Sequence, residues 1–353
     1  MKMERFGYTK DGQEITRYVL ENQNGLRAAF LDLGAVISNI WMADRNGRID
    51  DIVHGYDTVQ GYELNVPSFG APVGRCANRI SMGHFFINGK EYQLDQNDGT
   101  NCLHGGFLRY NHLMYDAEYE AGDGEDCITF SRLSPDGEQH FPGNFSYRIT
   151  YRLTDADELI VEYDGVSDQD TVVNMTNHSY FNLGPGGNKY GTVLDQEVKI
   201  FSDKYTPINE LLVPTGEICP VKGTPLDFSE LKALGTDVVS DESSPDYFKG
   251  YDHNFVLEHP KGEIVEAVIY RAPSTGRMMK VLTDQPGVQM YTAPELEGEE
   301  GKEGVIYGPS SAVCFECQNF ANAVNIPTFP DAVLKAGDTY HHVTIFQFSI
   351  YED

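Results

Sequence analysis

Near its end the chain reads His-Val-Thr-Ile-Phe-Gln-Phe-Ser-Ile over 342–350. Thr344, Phe346, Phe348 and Ile350 fall at every second position, the period of a pleated strand with one face against a core. Turn residues interrupt such stretches all along the sequence. The chain holds 35 Gly and 17 Pro, together with 21 Tyr and 19 Phe of the kind that half-buried pleated surfaces favour. Asn-Gly pairs stand at 24–25, 46–47 and 88–89. The last lies within HFFINGKEYQLD and predicts a hairpin, because Asn-Gly adopts positive φ cheaply at both central positions of a type I′ turn. One segment has helical spacing: PLDFSELKALGTD (225–237) offers Phe228, Leu231 and Leu234 on one face, Asp227 as a cap and Gly235 as a stop. The acidic, glycine-rich PELEGEEGKEG (294–304) reads as an exposed loop. No linker, repeat or charge block divides the chain. Residues 1–353 are therefore expected to form one all-β domain, a large antiparallel β-sandwich, most simply of two packed sheets, with little helix.

Charge narrows the partners. With 26 basic against 54 acidic residues the formal net charge is −28, which repels phosphate backbones and argues against nucleic acid. The same field disfavours a phosphorylated small substrate unless a local basic pocket overrides it, and a neutral ligand fits most easily. No stretch approaches the roughly 18 to 20 apolar residues of a membrane span, and the opening MKMERFGYTKDGQEI lacks the apolar core of a secretion signal. A cytoplasmic protein, monomer or homodimer, is the expectation. Its six cysteines then read as free thiols, and the sequons at Asn144, Asn174 and Asn177 carry no meaning.

Chemistry-bearing residues appear against this background. Glu316 sits in SSAVCFECQNF, a strand-like run of small and apolar residues. A carboxylate there is costly unless paired or used, and one drawn out of water has a raised pKa suited to general acid–base work. The period of two puts Ala312, Cys314, Glu316 and Gln318 on one face. Pairing with an arginine at a sheet rim is the structural alternative. Cys314 and Cys317 would then point to opposite faces, and no second Cys pair completes a zinc set. In TVVNMTNHSYFN (171–182), Thr171, Val173 and Met175 face the core while Asn174, Thr176, His178 and Tyr180 share the other face beside Gly-Pro-Gly-Gly. His178 there could donate a proton near neutrality or be a satisfied structural histidine; no ligand two residues on supports a metal. Further polar arms come from Arg75, Asn78 and Arg79 in GRCANRISMG, from His104 before two glycines that would let a ligand approach the backbone, and from Asp252, His253 and Gln289. Such a set suits a neutral ligand with many hydroxyls.

In this order the motifs GRCANRI, NCLHGG, NHSYFNL, YDHNF, GVQMYT and ECQNFANAVNIPTFPDAVLKAGDTY resemble the aldose 1-epimerase family over nearly the whole chain. The resemblance implies a single antiparallel β-sandwich domain of the galactose mutarotase type. It also implies interconversion of hexose anomers with neither cofactor nor metal. Glu316 would be the general base and His178 the general acid. Asn78, Arg79, His104, Asp252 and Gln289 would bind the sugar. At one place the chain departs from the family, which commonly follows Tyr-Thr with Gly-Asn and an apolar residue. Here Tyr291-Thr292 runs into Ala293-Pro294-Glu295, beside the expected sugar site. Rival readings are an epimerase of phosphorylated hexose, a non-catalytic sugar-binding sandwich, and a glycoside hydrolase using Glu316 and Asp252.

Overall fold

The computed structural model describes residues 1–122, 124–239 and 249–352. Antiparallel strands dominate them, gathered into three larger sheets and several two-stranded ribbons. The largest sheet has nine strands, ordered Asp116–Ala121, Glu125–Ser134, Phe145–Thr154, Glu158–Ser167, Thr339–Ile350, Arg277–Thr283, Val265–Arg271, Glu197–Ile200 and Lys232–Ala233. Its strands alternate as a half-buried sheet must. Phe145, Tyr147, Ile149, Tyr151 and Leu153 are buried along one strand, and the residues between them are not. Phe346 and Phe348 keep the predicted core face, while Ile350 emerges at the sheet's end.

Two five-stranded sheets close the core. One is an N-terminal meander from Lys2–Tyr8 to Ile49–Asp51; the other is ordered Cys219–Pro220, Lys204–Thr206, Asp252–Val256, Gly287–Tyr291 and Cys314–Gln318. Phe30 and Ile40 from the first, Met290 and Phe315 from the second, and Ile149 and Phe346 from the nine-stranded sheet all meet in a single apolar cluster. The sandwich is thus built from three sheets rather than the simplest pair. All three Asn-Gly pairs turn hairpins: Asn24-Gly25 joins Glu14–Glu21 to Arg27–Leu31, Asn46-Gly47 joins Ile37–Ala43 to Ile49–Asp51, and Asn88-Gly89 joins His84–Ile87 to Lys90–Gln93. At the last, Asn88 (φ 51°) and Gly89 (φ 77°) both take the positive φ that a type I′ turn requires.

Two expectations fail for the same physical reason, that tertiary hydrogen bonds outrank local propensity. Residues 225–237 are not helical. The Asp227 carboxylate accepts from Ser229 N–H two residues on, as an Asx-turn does, and the Phe228 carbonyl accepts from Ile200 N–H at 2.8 Å. Lys232–Ala233 then adds an edge strand beside Glu197–Val198. Phe228 and Leu234 are buried but Leu231 is exposed, so the helical spacing was not a face. The only α-helix among the described residues is Val59–Leu64, capped by the Thr58 hydroxyl accepting from Gly61 N–H. Likewise 294–304 is not simply an exposed loop. Lys302 at its heart is 2 % exposed, and its ammonium donates to Asp51 Oδ2 at 2.7 Å and to the Val53 carbonyl at 2.9 Å. No described helix is long and apolar enough to cross a membrane.

Candidate active site

Three neighbouring strands carry the acidic and amide groups to one place. In the antiparallel register Asn254 faces Gln289, and Gln289 faces Glu316. Asp252 lies two residues from Asn254, and Cys314 two from Glu316, so period two puts Asp252, Gln289, Cys314 and Glu316 on one side of the sheet. Cys317 points the other way into the main core, as predicted, and all six cysteines are free thiols. Gln289 Nε2 donates to Asp252 Oδ1 at 2.6 Å.

His178 reaches the same side from the strand Thr176–His178, which pairs with Ala71–Val73. Its Nε2 lies 3.6 Å from Glu316 Oε1. Packing rather than hydrogen bonding fixes the ring. His178 Nδ1 is buried and meets no hydrogen-bond partner among the described residues. Tyr180 stacks on the ring at 5.0 Å and 20°, and Tyr291 meets it edge-on at 6.0 Å. Behind Tyr180 lies a second near-parallel ring, His54, at 6.3 Å and 8°, which itself stacks on Tyr307 at 3.7 Å. The Tyr180 hydroxyl is anchored on the Pro67 carbonyl.

The third wall comes from two tight turns. Asn78 and His104 both hold positive φ, 59° and 53°, a strain that persists only where the surroundings impose it. Asn78 N–H donates to His104 Nδ1 at 3.1 Å, and His104 N–H donates to the Asn78 carbonyl. Gly105 lets the chain pass its own backbone: a Cβ there would sit 2.4 Å from the Gly74 carbonyl oxygen. That close approach, rather than contact with a ligand, explains this glycine of His-Gly-Gly. Arg79 donates through Nε to Asp98 at 2.7 Å and lies 3.8 Å from Asp252. Arg75 does not belong to the site. Wholly buried, it donates to the Pro142, Gly143 and Ser134 carbonyls.

Asn78, Arg79, His104, His178, Asp252 and Glu316 all line one cleft of about 360 Å³. Gln289 stands immediately behind, in a small recess shared with Asn78, Arg79 and Asp252. The structure thus brings together Glu316, His178 and all five expected sugar-binding residues, and leaves out Arg75. A larger cavity of about 420 Å³, between Asp284–Pro286 and Pro330–Leu334, contains none of them. Sequence reasoning missed Arg109 in the cleft wall; nothing in the spacing of HGGFLRYNH marks it.

Burial sets the electrostatics. It pushes the Glu316 carboxyl well above the usual range, with Asp252 adding to the shift and Arg79 opposing it. It also takes His178 down to about 4, with Arg109 contributing in the same direction. Both shifts favour the uncharged forms, a carboxylic acid on Glu316 and a neutral imidazole on His178. Among the described residues Glu316 Oε2 meets no hydrogen-bond partner.

The ligating atoms of His104, His178 and Glu316 lie within 4.8 Å of one another, a spacing that invites a metal. The His104 tautomer speaks against it. Because Nδ1 accepts from a backbone N–H, the neutral ring carries its proton on Nε2, and a cation there would have to displace it. The arrangement suits a hydrogen-bond donor aimed at a ligand oxygen.

A buried His–Glu pair floored by aromatic rings and ringed by amide, guanidinium and carboxylate arms is chemistry suited to a carbohydrate-handling enzyme. The chain belongs to the aldose 1-epimerase family, whose model matches residues 16–347, and it is an isomerase that interconverts the anomers of aldoses. It is 42 % identical to the galactose mutarotase of Sus scrofa over 337 residues, covering 95 % of this chain and 94 % of that one. It is 31 % identical to the aldose 1-epimerase of Haemophilus influenzae, covering 96 % and 97 %. The crystal structure of an aldose epimerase homologue from C. elegans superposes with a TM-score of 0.85 at 27 % identity, covering 95 % of this chain and 99 % of that one.

Proposed function

We propose that this chain interconverts the α and β anomers of free aldohexoses, galactose and glucose among them, with Glu316 and His178 as its proton couple. The observation that carries this reading is the buried His178–Glu316 pair, 3.6 Å apart, in a cleft whose other arms are hydrogen-bonding groups. One member takes the proton of the anomeric hydroxyl while the other protonates the ring oxygen, and the C1–O5 bond opens. The aldehyde turns about C1–C2 by roughly half a turn and recloses, the two groups exchanging roles. Glu316 acts as base and His178 as acid in the opening step. Burial raises Glu316 and lowers His178, so this order of roles requires the bound sugar to draw the proton from Glu316 towards His178. His104, through Nε2–H, and Arg79 steady the developing charge. Asn78, Asp252 and Gln289 hold the hydroxyls in place.

The substrate is a small sugar, and the net charge of −28 opposes nucleic acid as a partner. Six free thiols fit a reducing, cytoplasmic setting. The chemistry is a proton shuttle that calls for no cofactor. The test is polarimetry: fresh α-D-galactose and α-D-glucose should lose rotation faster with the protein than without. Unchanged decay with both sugars, from folded protein, would refute the proposal.

A further inference from the structure

Behind the His178 ring the fold buries another histidine. His54, in the run Ile-Val-His-Gly-Tyr-Asp, is 0 % exposed. Its neighbours are rings. It stacks on Tyr307 with centroids 3.7 Å apart and planes within 3°, lies near-parallel to Tyr180, and meets Phe69 edge-on at 5.8 Å. Phe69 stands edge-on to Tyr180 and Tyr307 as well, at 4.8 and 5.5 Å. The rings of His178, Tyr180, His54 and Tyr307 thus follow one another, with Phe69 wedged along their side. A leucine would fill such a slot, whereas an imidazole must be drawn out of water to enter it. Burial and the Lys302 ammonium hold its pKa well below the usual histidine range, which favours the neutral ring.

The polar atoms of His54 tie two chain segments together. Val53, Phe181 and Val313 form successive antiparallel bridges, so the His54 segment runs beside those that carry His178 and Glu316. The His54 N–H donates to the Tyr180 carbonyl at 3.0 Å, two residues beyond His178. Its Nε2 lies 2.9 Å from Ser311 Oγ, five residues before Glu316. Phe181 and Val313 exchange both backbone hydrogen bonds, at 2.8 and 3.0 Å, and His54 clamps the same two segments beside that pair. One residue therefore reaches His178 through the Tyr180 ring and the Glu316 strand through a hydrogen bond. The leverage is greatest on the His178 side, where packing on Tyr180 and Tyr291 holds the ring.

We propose that His54 is a positioning residue for the epimerase: through Tyr180 and Ser311 it sets the separation and orientation of the His178–Glu316 pair. The inference rests on the reading of that pair as the proton couple. His54 is not among the residues that line the cleft, so it acts on the reaction through geometry alone. A misplacement of about 1 Å in a reacting group can cost on the order of 10² in rate. Removing the His54 ring lets Tyr180 relax into the space, and His178 follows because packing holds it there. The sugar-binding arms are anchored elsewhere, Gln289 on Asp252 and Arg79 on Asp98. Turnover therefore suffers while binding is kept.

The experiment takes kcat and KM by polarimetry of α-D-galactose for wild type, His54→Leu, Tyr180→Leu, the double variant, Ser311→Ala and Ile15→Ala. Ile15 is buried in the apolar cluster that also holds Phe69, Tyr180 and Tyr307, so Ile15→Ala is the control for lost stability. His54→Leu should lower kcat by about tenfold or more with KM within about threefold of wild type, while Ile15→Ala melts lower and keeps its kcat. Because His54 acts through Tyr180, the double variant should fall no more than about threefold below Tyr180→Leu. Ser311→Ala removes only the hydrogen bond and should lower kcat by about threefold at unchanged KM. It decides the matter if His54→Leu does not fold, and an unchanged kcat there overturns the proposal. So does a folded His54→Leu that keeps more than about a tenth of wild-type kcat, or one whose loss appears in KM. A double variant that falls further than stated, or an Ile15→Ala that loses kcat as His54→Leu does, reduces His54 to a structural residue and overturns it too. His178→Ala and Glu316→Gln run alongside: if both keep wild-type kcat, the proton-couple reading fails instead.

Discussion

Replacing Glu316 by Gln separates catalysis from stability. The carboxyl is buried at 2 % exposure, and burial raises its pKa, favouring the protonated form, with which Gln is nearly isosteric. The sign of the stability effect follows from linkage. An acid whose pKa is raised on folding must take up a proton to fold once the pH exceeds its unfolded value, and the wild type bears that cost from about pH 4.3 upward. The variant does not. Glu316→Gln should therefore melt at or above the wild-type temperature at pH 7.5, with the difference vanishing below about pH 4. Activity should move the other way. One positioned acid–base group is worth about 10² to 10⁴ in rate, so the barrier should rise by about 3–5 kcal/mol. Polarimetry of galactose, corrected for spontaneous mutarotation, reads the rate, and calorimetry at the two pH values reads stability. A folded variant that keeps more than a tenth of wild-type kcat would refute the proton-couple assignment. A variant that melts lower than wild type at pH 7.5 would refute the raised pKa of the buried carboxyl.

Other consequences follow from the same geometry. Because His178 is held down to about 4 and Glu316 is raised, kcat/KM should form a bell. It falls at low pH near 4, as the couple gains a second proton, and falls again where Glu316 loses its own, both limbs read from a pH–rate series. His178→Ala should remove about 10² or more of kcat while circular dichroism remains that of the folded protein. Since Tyr180 orients His178 by stacking, Tyr180→Phe should retain most of kcat and Tyr180→Leu should lose at least tenfold with little change in KM. Equal losses in both would point to the hydroxyl on Pro67 instead. Lys302→Met strips the buried Asp51 carboxylate of its cation and should cost about 3 kcal/mol in a urea titration, softened by the Asn39 amide that still donates to Asp51.

Some of this protein could be read position by position. The Asn-Gly turns and the alternation through Thr344, Phe346 and Phe348 are short-range signals, because hairpin twist and the two-residue pleat are fixed by neighbouring residues alone. Glu316 stood out for a similar reason: a carboxylate in a strand of small apolar residues is expensive wherever the strand goes. The segment 225–237 misled because its spacing met the helical rule while a sheet edge offered its backbone better partners. Lys302 misled because a lysine in an acidic run reads as solvated until a distant Asp51 is folded against it.

The amino-acid order by itself determined the all-β architecture and the hairpins and, through the family motifs, nominated the candidate site residues that the fold gathers in one cleft. Only the tertiary structure set the opposite shifts of Glu316 and His178, since both come from burial by groups far away in sequence. Only it fixed the His104 tautomer, which depends on the amide of Asn78 across 26 residues. Only it placed Arg109 in the wall of the cleft, because a neighbour brought in by packing leaves no trace in the spacing of residues along the chain.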